Sequence, residues 1–264
     1  MPGLSLPLHT RSFGETSRRD RWWLQPLAVF LGLSTFVVYS TWAALQGDHY
    51  TVDGTNYLSP FYSPELWGKS PHAWFGEIPS WWPSLLPYSP ALLILWAPGG
   101  FRFTCYYYRG AYYKSFWADP ISCAVGEPRK GYIGESKWPL RIQNIHRYFM
   151  YIAILFIGML SYDAIKSFWF PGHGFGIRVG SLIITINVIL LSGYTFGCHS
   201  LRHLVGGGRD CISESPTCHK LYQGCSALNK RHMLWAWMSL TSVGFADVYI
   251  RLCSIGYWRD IPLL

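Results

Sequence analysis

Five stretches of this chain are apolar and close to the length that crosses a bilayer, and this pattern constrains the fold more than any other feature. A span takes about 20 mostly apolar residues, because a helix rises about 1.5 Å per residue and the hydrocarbon is about 30 Å thick. The stretches are about residues 26–45, 85–103, 148–168, 179–196 and 233–255. The fold expected is all-α: a polytopic transmembrane helix bundle of five spans, one membrane domain over residues 1–264. Pro26 suits a first helical turn, and Gly47 and Asp48 follow the end of the first span. The second contains Pro87, Pro90, Pro98, Gly99 and Gly100, so it should be short, kinked or broken near its inner end.

The basic residues test this layout. The net charge of +8 would point a soluble protein toward nucleic acid, but only 14% of residues are charged against about 25% in ordinary soluble domains. With the N-terminus cytoplasmic, seventeen of the twenty-two Lys and Arg fall inside. Only Lys69, Lys166, Arg178, Arg251 and Arg259 fall outside. The C-terminus is then outside, and the charge is accounted for by orientation in lipid, with no nucleic-acid partner implied. Four arginines precede the first apolar run, so no cleavable signal peptide is expected. The external connection, 47–84, is rich in Pro, Trp and Tyr and reads as an aromatic cap on the membrane surface. The inner loops, 104–147 and 198–232, hold most of the chemically interesting residues.

Six of the seven cysteines lie inside: Cys105, Cys123, Cys198, Cys211, Cys218 and Cys225. The cytoplasm keeps thiols reduced, which leaves metal ligation or plain packing as their uses. Cys105 closes the second span, Cys198 closes the fourth, and Cys123 lies in the loop between spans two and three. His199 and His203 follow Cys198. If the fourth helix continues through them they form an i, i+4 pair on one face, able to aim two imidazoles at one metal. Two thiolates and two imidazoles are the donors of a Rieske-type iron–sulfur cluster; the same residue types also make a structural zinc site. Cys211, Cys218 and Cys225 lie in what reads as a polar loop, their spacing of seven without helical support around Pro216.

His146, His199, His203 and His232 stand at the inner ends of spans three, four and five, where facing histidines could instead hold haem b. The run Cys105 to Trp117 reads as an amphipathic inner-interface segment. Its Tyr107, Arg109 and Tyr113 are candidate hydrogen-bond donors to quinone, which needs a flat apolar slot with donors at its carbonyls. Within the spans, Asp163, Asn187, Asp247 and Arg251 are costly in lipid and should face the bundle or its outer boundary, Asp247 and Arg251 pairing at i, i+4. Proton conduction, or the work of a non-redox scaffold or transporter, is the competing use of these charges.

Five segments together resemble one family. They are Arg11-Ser12-Phe13-Gly14-Glu15-Thr16 with Arg18-Arg19-Asp20; the run Thr104 to Trp117; Gly134-Glu135; Gln143-Asn144-Ile145-His146-Arg147-Tyr148; and Cys198-His199-Ser200-Leu201-Arg202-His203. The chain resembles, over nearly its whole length, the single five-span membrane anchor of an actinobacterial-type succinate dehydrogenase. The resemblance implies a multi-pass subunit of a bacterial cell membrane, docked on a flavoprotein subunit and an iron–sulfur subunit of complex II and open to higher oligomers. It also implies electron relay through an inner-face Rieske-type 2Fe-2S centre to a membrane quinone, menaquinone or ubiquinone, with no catalytic residue for succinate on this chain. Cys105, Cys123, Cys198, His199 and His203 match the family's inner-face positions, five residues for four ligand places. A haem b anchor stays open as the alternative, and the loop with Cys211, Cys218 and Cys225 departs from the family pattern.

Overall fold

The computed structural model describes residues 12–83, 88–119, 121–128, 140–207 and 211–264. Arg11, Gly134-Glu135 and the basic residues Arg129, Lys130, Lys137 and Arg209 lie outside them, as do residues 84–87 of the second apolar run. The elements are α1 (Leu24–Gln46), α2 (Pro90–Ile94), α3 (Trp96–Phe103), α4 (Tyr106–Phe116), α5 (His146–Lys166), α6 (Val179–Phe196), α7 (His199–Gly206), α8 (Pro216–Asn229) and α9 (His232–Ile255). A hairpin of β1 (Trp169–Phe170) and β2 (Gly174–Phe175) joins α5 to α6. Among the described residues three helical stretches are long and apolar enough to cross a membrane: Leu24–Gln46, Arg141–Lys166 and Val179–Phe196. At 24 residues α9 is about 36 Å long, ample for a span by length.

Among its described residues the second apolar run is helical from Pro90 and is broken at Leu95. Pro98 has no N–H to give the Ile94 carbonyl, so the ladder is interrupted there, although Leu95 donates to Ala91 and Gly99 donates to Leu95, each at 2.9 Å. From Pro90 to Phe103, α2, Leu95 and α3 make 14 residues, about 21 Å, which is short of the hydrocarbon thickness.

The chain divides into two units: residues 1–35 with 103–144, and residues 36–102 with 145–264. In the first, Thr16 bridges to Val125, and the Arg18 guanidinium donates to Ser122 Oγ at 2.7 Å and to the Cys123 carbonyl at 3.1 Å. Arg18 also pairs with Asp20, whose hydrogen bond from the guanidinium holds its carboxyl below the usual range. Phe30 of α1 packs on Phe116 of α4, their ring centroids 4.9 Å apart.

In the second unit α6 is central, with α9 on one flank and α5 on the other. Close approach is made possible by Gly193, where a Cβ would stand 2.6 Å from the Trp235 ring. The connection after α1 is a surface cap only in part: Tyr57 and Tyr62 are fully buried, and Tyr50, Leu58 and Phe61 nearly so, whereas Trp74, Phe75 and Trp81 further along are exposed. Tyr62 stacks on Tyr50 at 4.2 Å and donates to the Ala43 carbonyl at 2.6 Å, while Tyr50 donates to Glu65 Oε1 at 2.8 Å. A tyrosine brings a large apolar ring and one hydroxyl that finds an acceptor, so this segment plugs the end of the bundle. The C-terminal Pro262 bridges to Arg178 beside it.

The connection 198–232, expected as an inner loop, is largely helical: α7 and α8 fill most of it. Pro216 sits in the first turn of α8, where a missing N–H costs nothing, so Cys218 and Cys225 share a helical face and the expectation of no helical support is overturned.

Candidate functional site

Cys105 and Cys198 occupy equivalent local positions. Each stands just past the end of one helix, α3 or α6, and is the extended N-cap residue of the next, α4 or α7, and neither side chain forms a capping hydrogen bond. The fourth helix thus stops before His199, but α7 restores the i, i+4 relation of His199 and His203 by itself. These two line a groove of about 260 Å³ with Arg202, Gly206, Gly207 and Tyr222. Arg202 donates to the Tyr222 hydroxyl at 2.8 Å and holds that phenol below its ordinary pKa. His203 Nδ1 lies 3.2 Å from Arg147.

Cys198 is buried, and its sulfur lies 3.1 Å from His146 Nε2. The His146 ring stacks on Phe101 at 4.8 Å, Phe101 meets Tyr194 edge-on at 5.3 Å, and Tyr194 stacks on His232 at 5.0 Å. His146 and His232 therefore lie flat against aromatic rings, with His146 Nε2 directed at a thiol.

Of the five expected metal ligands, Cys105 and the exposed Cys123 belong to the first unit, and Cys198, His199 and His203 to the second. Among the described residues no three His, Cys, Asp or Glu side chains converge on one point. The donor set suits a mixed thiolate–imidazole centre in kind, and Cys198 with His146 forms a thiol–imidazole contact. All seven cysteines are thiols rather than disulfides.

The expected quinone donors lie on α4. The Arg109 guanidinium donates to Gln143 Oε1 at 2.9 Å and lies over the rings of Tyr106 and Tyr113 at 4.7 and 5.8 Å. Gln143 Nε2 donates to the Tyr112 hydroxyl at 2.7 Å. Tyr107 packs on Tyr108 at 5.4 Å, and Tyr113 is buried against Trp117 at 4.9 Å.

A separate cavity of about 160 Å³ lies inside the second unit. Its walls are apolar: Phe36, Phe61, Leu95, Phe156, Leu160, Leu191 and Val243 among others. Its polar lining residues are Ser40, Arg102, Tyr194 and Thr195, of which Arg102 and Tyr194 are in contact. Arg102 is fixed by α9, donating to Ser239 Oγ at 2.9 Å and to the Ala236 carbonyl at 3.3 Å, and its guanidinium lies 4.7 Å from the centre of the Tyr194 ring. Sequence reasoning counted Arg102 only as an inner-face charge. Its position within the apolar run was the available signal, since a cation at such a place needs a buried partner or a ligand.

These features define a helical integral-membrane protein that carries thiols and imidazoles at helix ends and a ligand-sized apolar cavity within its second unit. Residues 24–256 match the family described as actinobacterial succinate dehydrogenase subunit SdhC. A chain of the solved structure "Mycobacterium smegmatis Sdh1 complex in the apo form" is similar, with 42% identity over 99% of each chain and a TM-score of 0.88. No curated protein matches. The chain belongs to the actinobacterial SdhC family and is a membrane-anchor subunit of succinate dehydrogenase, respiratory complex II.

Proposed function

We propose that this subunit reduces membrane quinone, binding the headgroup at the Arg102–Tyr194 end of the interior cavity. The cavity carries the reading: apolar walls with convergent polar groups at one end are what a quinone needs. Its 160 Å³ is close to the roughly 150 Å³ that holds a benzene-sized ring. A single-ring headgroup fits with little rearrangement, whereas a naphthoquinone requires wall side chains to shift. Tyr107, Arg109 and Tyr113 are proposed as inner-interface contacts for the same class of ligand.

In this reading the chain crosses a bacterial plasma membrane five times, N-terminus cytoplasmic and C-terminus outside, with α2–α3 as a short, broken crossing. The flavoprotein and iron–sulfur subunits dock on the inner face, and oligomers of the complex are compatible with it. Two electrons from the iron–sulfur partner and two protons from the cytoplasm convert each quinone to quinol. The chain's own residues hold the headgroup, exclude water from it and place a cation beside the oxygen that gains charge. No succinate chemistry is assigned to them.

A mixed-ligand 2Fe-2S centre is proposed from the donor chemistry, held by four of Cys105, Cys123, Cys198, His199 and His203, with His146 a further candidate through its contact with Cys198. Such a centre supplies one-electron transfer at a potential above that of all-cysteine clusters. Low-temperature electron paramagnetic resonance of the reduced, purified complex should show a Rieske-like signal that disappears in the His199→Ala/His203→Ala variant. A bis-histidine haem spectrum in its place would move these residues to the cytochrome reading.

The pocket is tested with Tyr194→Leu in the assembled complex. Succinate-driven reduction of a hydrophobic quinone should fall by roughly ten- to a hundredfold, the scale of losing one good polar contact and its ring packing. Reduction of a water-soluble acceptor by the partner subunits should be unchanged. Equal loss of both activities, or of neither, would place quinone elsewhere.

A further inference from the structure

The cavity wall is built from residues that are buried or half-buried, apart from Gly99, which is exposed. Gly99 also interrupts a pattern. Trp96 and Phe103 are exposed large apolar residues of α3, and with Gly99 they fall at spacings of three and four, which is one helical face. In a segment read as membrane-spanning, that face meets lipid, and the residue without a side chain is the one at the cavity.

Neither packing nor backbone requires glycine there. At the next position, Gly100, a Cβ would stand 2.3 Å from the Phe149 ring, so that glycine is needed for helix contact. A Cβ on Gly99 meets nothing within 4 Å, and its backbone is helical rather than left-handed. Alanine is the better helix former, so a bare Cα at this place is explained by what must pass it. The neighbouring Pro98 also lines the cavity and offers an apolar surface.

We propose that Gly99 is the mouth of the pocket, the lateral opening through which a flat, apolar ring moves between lipid and the Arg102–Tyr194 end. This rests on the quinone reading above and adds the route of entry. A side chain at position 99 extends over the opening, so obstruction should grow with its size.

The test is a graded series, Gly99→Ala and Gly99→Leu, in the whole complex, with Gly158→Leu as control. Gly158 is exposed on α5, has nothing within 4 Å of its Cβ position and does not line the cavity. Expected is a rise in KM for hydrophobic quinone, small for alanine and roughly tenfold or more in lost kcat/KM for leucine. Succinate reduction of a water-soluble acceptor and the Gly158→Leu complex should be unaffected. Should Gly99→Leu not assemble, Gly99→Ala with a bulkier quinone carries the same comparison. Normal quinone kinetics in the Gly99 series while Tyr194→Leu remains impaired would overturn the mouth and leave the pocket. Normal kinetics in both would overturn the pocket itself.

Discussion

Asp247→Leu should destabilise the subunit by about 3–5 kcal/mol, the scale of breaking a buried ion pair by removing one partner. Asp247 is fully buried in α9, and its Oδ2 lies 3.3 Å from Arg251 Nε one turn along. The same carboxylate accepts hydroxyl hydrogen bonds from Tyr39 and Ser59, each at 2.5 Å. Arg251 in turn donates to the Asp48 carbonyl at 2.9 Å and lies 5.2 Å from the centre of the Trp42 ring. The pair thus joins α9, α1 and the plugging segment at one point. Removing the carboxylate strands the guanidinium in an apolar site and takes the acceptor from two hydroxyls. The measurement is the thermal midpoint of the detergent-solubilised complex, which should fall and be insensitive to salt because the pair is shielded from solvent. Asp247→Leu combined with Arg251→Met should recover much of the loss, since apolar replacement of a whole buried pair is often near neutral. A double variant as unstable as the single would show that hydroxyl acceptance, not charge pairing, is what Asp247 supplies. Retained stability in the single variant would favour a working role for these charges over a structural one.

The elements that were legible in the sequence are those whose cause is local. The run at 179–196 is α6 residue for residue, and α1 and α9 extend their expected runs by one or two residues, because an unbroken apolar run with suitable ends dictates a helix by itself. The break in the second run followed from one missing N–H at Pro98. The i, i+4 relation of Asp247 with Arg251, and of His199 with His203, needed only helical geometry. What was missed depends on distant partners or on a proline read in the wrong sense. Pro216 was taken as a helix breaker although it stands where prolines start helices. The aromatic connection was placed on the membrane surface because its composition resembles an interfacial belt. The acceptors outside it that draw it inward, the Ala43 carbonyl and Asp247 among them, cannot be seen in composition. Cys198 and His146 are 52 residues apart in the chain, and Arg102 meets Ser239 across 137, so no spacing rule could connect them.

Arg102→Leu should lower quinone reduction by about 10²–10³-fold, the loss found when one preorganised donor facing a developing anion is removed. A quinone receiving electrons before protons gathers negative charge on its oxygens, and in an apolar cavity that charge is poorly stabilised unless a fixed cation stands near. Arg102 meets the requirement at little reorganisation: Ser239, the Ala236 carbonyl and the Tyr194 ring already hold its plane at the polar end of the cavity. Arg102→Lys keeps the charge but not the planar fork that reaches both α9 partners, so its activity should fall between those of wild type and leucine. Because the effect lies on electron acceptance, kcat should fall together with kcat/KM. The Gly99 series, by contrast, should act mainly on KM. Assembly is verified by succinate reduction of a water-soluble acceptor in the same preparation. If Arg102→Leu reduces quinone normally while that control holds, the headgroup is not at this end of the cavity. The α4 donors Tyr107, Arg109 and Tyr113 then become the site to be replaced next.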